Sequence, residues 1–386
     1  MSRRKRAADL PVVAKQAAFG TSPKADAKPT NGPGKVPRFD TSSRPSRRII
    51  VPATAGVAAL ILVVTGLLVI KRDTGGLLPP LPPATAATSA NTPVPPGRLG
   101  GVYNCRTIPK FAKDLGFTTS ALLDTSESTL NVRGLVLVDQ AGASGQPRTY
   151  QHPSWADAGY LGPIVGDQAN NIYVIPVPRI NVYDNPIGKQ NRIYKVDATT
   201  GQMSEFLELP QPRPSDQSNP YGALGLAYDC ETNVLYVSSI AGSSRSEESG
   251  RIYRVDLGQS KPAVSSILPD VDAFGLAVVN TPTAKRLFYG RTRSSEVWSV
   301  QLTQRGEFFG KPRKEFSLSG AYGDGDDKIR RISIASNNDM QLRGIEFSYN
   351  LVAARDKSET IYTFRYNSKS DTWEFLNAQP QGKLPT

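Results

Sequence analysis

The sequence predicts an all-β fold, a five- or six-bladed β-propeller, preceded by a single transmembrane helix and a Pro-rich stalk. Three observations predict it. From Gly100 onward the chain consists of short apolar runs parted by Gly, Pro, Asn and Asp, which is the composition of strands and turns. Within that stretch a two-part unit recurs. Far ahead of it, residues 49–70 form an uncharged apolar run clamped between Arg47-Arg48 and Lys71-Arg72.

As a helix the run is about 33 Å long at ~1.5 Å per residue, enough to cross the roughly 30 Å hydrocarbon core of a bilayer. A helix satisfies its own backbone polar groups in lipid. Pro52 falls in the first turn, where its missing N–H goes unneeded. Residues 1–48 hold twelve Lys and Arg against Asp9, Asp26 and Asp40, whereas after Arg72 no basic residue occurs until Arg98. Lys/Arg excess marks the cytoplasmic flank. The reading is a single-pass cell membrane protein with an uncleaved signal anchor. Residues 1–48 are a basic, disordered cytoplasmic tail, and the main domain is extracytoplasmic, in the periplasm or at the cell surface. A cleaved signal peptide fits worse, because the run exceeds a ~7–15 residue h-region and Ala84-Thr85-Ala86 lies far downstream. Residues 71–99 are dense in proline and make an extended spacer.

The recurring unit fills residues 100–378, with a disordered C-terminus over 379–386. It opens on a Gly-bearing apolar strand and a turn: GPIVGD at 162–167 before NIYV at 171–174, GLAYD at 225–229 before VLYV at 234–237, and GLAVVN at 275–280 before RLFY at 286–289. GIEFSY at 344–349 is a looser fourth copy. A second element follows each in turn, RIYKVD at 192–197, RIYRVD at 251–256, EVWSVQ at 296–301 and TIYTFR at 360–365. Antiparallel four-stranded units repeated radially are the propeller solution to the edge-strand problem. Residues 131–139 open a further unit, so the count is five or six.

The Asp167 and Asp229 turns, each leading through a Tyr-bearing strand to an Arg-Ile-Tyr-x-Val-Asp strand, resemble NHL-type repeats and SMP-30/gluconolactonase-like six-bladed propellers over roughly residues 160–375. That resemblance implies a divalent ion, calcium or another, held by carboxylates at the mouth of the central channel. Asp272, Asp324, Asp326 and Glu346 are the candidate metal ligands, Asp324 and Asp326 lying in a Gly-Asp-Gly-Asp-Asp run. The chain departs from the family at the opening Glu-Gly-Pro motif, since Gly162-Pro163 lacks the preceding Glu. Asp167 and Asp229 read as turn-capping residues.

Charge excludes one function class. Nine of the formal +12 charges lie in the first 48 residues, so the main domain is near neutral and no nucleic-acid partner is expected. His152, the single histidine, reads as an aromatic-packed loop residue; it excludes multi-His zinc sites. Cys105 and Cys230 are the only cysteines, both on the translocated side, and are expected to pair as a disulfide.

The long inserts are the most informative functional feature. In a propeller, second-to-third-strand loops and blade connections emerge on one face. Residues 176–186 and 242–248 are of the first kind, 211–221 and 309–331 of the second. They supply Arg179, Asn181, Tyr183, Arg213, Tyr221 and Arg245 as the candidate binding face, a composition suited to a polar small molecule, glycan or protein ligand. No convergent catalytic set accompanies them. The expected function is a membrane-anchored binding or scaffold module, the alternative being a divalent-metal-dependent hydrolase of lactonase or esterase type.

Overall fold

The structure, a computed structural model, describes residues 97–103, 105, 107–125, 132–139, 148–178, 183–321, 325–349 and 359–381. The expected tail, transmembrane helix and most of the stalk lie outside the described residues. Among the described residues no helix is long and apolar enough to cross a membrane.

Antiparallel sheets laid down in chain order form a propeller of five blades among the described residues. Strand β1 (Gly100–Gly101) precedes them. Blade 1 holds β2 (Leu122–Asp124), β3 (Val136–Asp139) and β4 (Arg148–Tyr150); blade 2 holds β5 (Leu161–Gly166), β6 (Ile172–Pro176), β7 (Arg192–Val196) and β8 (Met203–Glu208). Blade 3 is β9 (Ala223–Asp229), β10 (Val234–Ser239), β11 (Arg251–Asp256) and β12 (Val264–Pro269). Blade 4 is β13 (Ala273–Asn280), β14 (Lys285–Arg291), β15 (Glu296–Leu302) and β16 (Phe308–Ser317). Blade 5 is β17 (Lys328–Ile334), β18 (Met340–Ile345), β19 (Thr360–Asn367) and β20 (Thr372–Pro380). The last strand thus runs past residue 378.

Burial explains the strand patterns. Every residue of β6, β9 and β10 is buried, because both faces of a middle blade pack on neighbouring sheets and alternation is lost. The outer strand β12 alternates half-buried with exposed. The inner strands approach backbone to backbone. A Cβ on Gly225 would lie 1.9 Å from the Phe274 carbonyl oxygen, and one on Gly275 2.6 Å from the Arg330 carbonyl carbon. Hence the Gly at the start of the units in blades 3 and 4. Gly225→Ala is expected to lower stability by about 3 kcal/mol, the upper end for overpacking, in urea unfolding. Gly188→Ala, with open space around it, should change stability by under about 0.5 kcal/mol.

Two expectations about blade 5 are corrected. Gly344 and Ile345 close the second strand, β18, and the inner strand is β17 instead. The 309–331 run is not one insert: most of it is β16 and β17, leaving 318–327 as the connection. Strand β16 misled because Gly310, Pro312 and its charges are tolerated at an outer edge. Of the 131–139 run, Val136–Asp139 form a second strand, β3, not an inner one, and there is no sixth blade among the described residues.

Chain direction sorts the connections. A loop face carries the second-to-third-strand loops and the links between the later blades; a hairpin face carries the short turns. Asn170, Asn233 and Asn338 take the left-handed conformation there, at φ 64°, 55° and 67°. Asp167 caps its turn, accepting from the Asn171 amide at 2.8 Å and the Tyr173 hydroxyl at 3.1 Å. Asp229 accepts from the Glu231 amide at 3.0 Å and the Thr232 hydroxyl at 2.7 Å. It also meets Lys285 Nζ at 2.6 Å, an ion pair in which both side chains are almost wholly buried.

The N-terminal segment comes in on the hairpin face. β1 pairs antiparallel with the end of β13, Gly100 opposite Asn280. The Val102 carbonyl then accepts from the Cys230 amide at 2.9 Å. Cys105 and Cys230 form the expected disulfide, Cα atoms 5.8 Å apart across 125 positions of chain. Beyond it, α1 (Lys110–Asp114) sets Phe111 against Trp155 of α2 (Pro153–Ala156), ring centroids 5.9 Å apart.

Candidate functional site

On the loop face, the links around blade 3 are braced by a buried polar node. Asp272 is fully buried and accepts from the Gly250 amide at 2.9 Å, Arg293 Nε at 2.7 Å, the Tyr349 hydroxyl at 2.6 Å and the Ser243 hydroxyl. Burial, then the Asp272 charge, pushes the Tyr349 phenol well up. Arg293 also donates to the backbone carbonyls of Ser244, Arg245 and Glu247, so the 244–247 turn wraps its guanidinium. From the neighbouring link, Asn219 Nδ2 donates to the Ile240 and Ser243 carbonyls at 2.7 and 2.9 Å. Arg213 donates to the Gly242 carbonyl at 2.6 Å and pairs with Glu247 at 2.8 Å.

The sequence candidates separate on this map. Arg213 and Arg245 lie on adjoining braced loops, and both are exposed. Tyr183 is 90% exposed but belongs to blade 2, where its neighbour Asp184 pairs with Arg133 at 2.9 Å. Tyr221 is only 4% exposed. It packs on Phe347, which also meets Phe274 and Tyr349 at 5.2 and 5.6 Å between ring centroids, and burial raises the Tyr221 phenol. A ligand on this face would therefore meet the arginines before Tyr221. Arg179 and Asn181 lie outside the described residues.

The candidate metal ligands do not converge. Both Asp272 oxygens are already taken by donors, Asp326 is exposed and pairs with Lys328, and Glu346 is half-buried elsewhere. Asp324 lies outside the described residues. Among those described, no three His, Cys, Asp or Glu side chains are grouped to hold a metal. His152 caps α2, its Nδ1 accepting from the Ser154 amide at 3.2 Å, with its ring against Trp155.

The central channel differs from what the lactonase resemblance implies. A cavity of about 430 Å³ is lined by inner strands of all five blades, among them Leu123, Ile164, Leu226, Leu276 and Ile332. Its charged residues are Arg330, Arg331 and Arg343; no Asp or Glu lines it among the described residues. Behind the wall Glu359, 3% exposed, accepts from Arg330 Nε and Arg343 Nη1, each at 2.9 Å. Sequence reading missed these arginines by placing 330 and 331 in a loop. The signal was present: KIRRISI has strand composition with two basic residues in its middle.

No protein-family model matches the chain, and no curated protein matches it. Similar solved structures include a functionally unknown protein from Desulfotomaculum acetoxidans DSM 771, with 11% identity, 69% of each chain covered and a TM-score of 0.41. Another is the Dos1 propeller, at 12% identity, 68% of this chain and 57% of that one, TM-score 0.36. A third is a putative oxidoreductase (glucose dehydrogenase) from Thermus thermophilus, at 15% identity, 54% and 68% coverage, TM-score 0.35. The likeness read from the repeats stands at the level of a five-bladed propeller and not of the NHL or SMP-30 family.

Proposed function

We propose that this chain is a membrane-tethered, extracytoplasmic binding module that presents the loop face of its propeller to a polar partner, protein or glycan. The observation that carries the reading is the bracing of the 211–221 and 241–250 loops. Carbonyls of residues 240–247 are held by Asn219 and Arg213 of the first loop and by Arg293, while Arg213 and Arg245 stay exposed. Polar side chains on a rigid frame lose little conformational freedom on binding. The described N-terminal segment enters the propeller on the hairpin face, at the end of β13 away from these loops. Residues 49–70 supply the tether by length and hydropathy.

A photo-crosslinking residue at Arg245 of the full-length chain in its own membrane should yield a defined adduct. The adduct should vanish in Arg213→Glu, and none should form from the same probe at Gly258 on the hairpin face. An adduct indifferent to Arg213→Glu, or an equal one from Gly258, would contradict the reading.

A further inference from the structure

We infer that the central cavity is a binding site for a small organic anion, with a carboxylate or phosphate head and an apolar body, separate from the loop-face surface. Arg330, Arg331 and Arg343 all line it, although Arg330 and Arg331 are adjacent in sequence and a regular strand would send them to opposite faces. Register explains how both reach it. Ile329 faces Gly344 and Arg331 faces Arg343, so the pairing shifts at Arg330, the extra residue of a β-bulge. Bulges re-aim side chains in this way. Its backbone is held there by the close approach of Gly275.

The bulge also sets Arg331 directly across from Arg343. Both side chains therefore lie on one face of the sheet, where paired arginines suit the oxygens of an oxyanion. Each guanidinium carries five N–H donors in a planar fork suited to carboxylate or phosphate oxygens. Glu359 takes one donor from Arg330 and one from Arg343.

The remaining wall fixes the rest of the ligand. Leu123, Ile164, Leu226, Leu276 and Ile332 are apolar, and Tyr103 stands at the hairpin-face end, its hydroxyl accepting from the Ile334 amide at 2.7 Å. At about 430 Å³ the space is in the range that holds drug-sized molecules. Inner strands β5, β9, β13 and β17 pack on one another in succession. The cavity also reaches Leu123 and Thr125 of blade 1 and Arg331 and Arg343 of blade 5, so all five blades contribute to it. The Arg343 side chain is 45% exposed.

Calorimetry on the purified full-length chain tests this with benzoate and phenyl phosphate as anions, benzamidine as the cation of like shape, and benzyl alcohol as the neutral one. Saturable binding of either anion is expected, the tighter one identifying the head group, with none for benzamidine or benzyl alcohol. Arg331→Gln should weaken the anion by about tenfold or more, with Arg331→Lys recovering part of it. Should Arg331→Gln not fold, Arg343→Gln, at a half-exposed position, gives the same comparison. No saturable anion binding, equal binding of benzamidine, or affinity unchanged in a folded variant would overturn the proposal.

Discussion

Lys285→Met is expected to destabilise the propeller by about 3–5 kcal/mol, the penalty for removing one partner of a buried ion pair. Lys285 and Asp229 side chains are 1% and 0% exposed, and Nζ bonds Asp229 at 2.6 Å and Glu231 at 2.9 Å. Removing the ammonium leaves the Asp229 carboxylate buried beside turn donors too few to replace a charge. Urea unfolding should show the loss as a lower midpoint with an unchanged slope. A change below about 1 kcal/mol, the scale of a surface pair, would mean that the pair is solvated. The Lys285 cluster also weakens in acid. Burial pushes the Glu231 carboxyl up, but Lys285 and Asn280 more than reverse this, so its folded pKa is net depressed. A depressed carboxyl contributes fully above its unfolded pKa, and that contribution goes as pH falls through the folded one.

Cys105→Ser with Cys230→Ser is expected to lower stability by about 5 kcal/mol, the chain-entropy value for so long a loop. The bridge spans 125 positions and ties the N-terminal segment to the first turn of blade 3. Its loss frees β1 to leave β13 and exposes Val102, so hydrogen exchange should rise first in residues 97–105. Cys230 lies between Asp229 and Glu231, and the two perturbations share one turn. Their effects should therefore couple in a double-mutant cycle. Strict additivity, or full protection of β1 without the disulfide, would show that the strand is held by its own pairing alone.

How much of this was legible in the sequence follows from which residues repeat. Blades 2 to 4 announced themselves because their inner strands carry Gly at tight positions and their third strands carry aromatic and β-branched residues between sheets. The cysteine pair followed from there being only two. Blade 5 broke the pattern, because its inner strand spends its middle positions on Arg330 and Arg331 and its outer neighbour β16 tolerates Pro312. Among the described residues blade 1 has β2, β3 and β4, and α2 comes next in the chain. On the site, loop membership was readable but depth was not. Tyr221 and Arg213 lie in the same link, yet the aromatic cluster around Phe347 buries one and leaves the other out. Asp272 looked like a ligand in sequence, but four donors from three loops meet on it, and sequence spacing does not display such convergence.

The proposed tethered, outward-facing module is tested most directly by cysteine labelling in intact cells or spheroplasts. The native thiols are consumed in the disulfide, so one introduced cysteine is the only reactive site. Ser246→Cys, on an exposed loop-face turn, should react with a membrane-impermeant maleimide in intact cells. Ser22→Cys, in the basic tail, should react only after permeabilisation, and both variants should sediment with membranes. Protection of Ser246→Cys with labelling of Ser22→Cys, or recovery of both in the soluble fraction, would contradict the account.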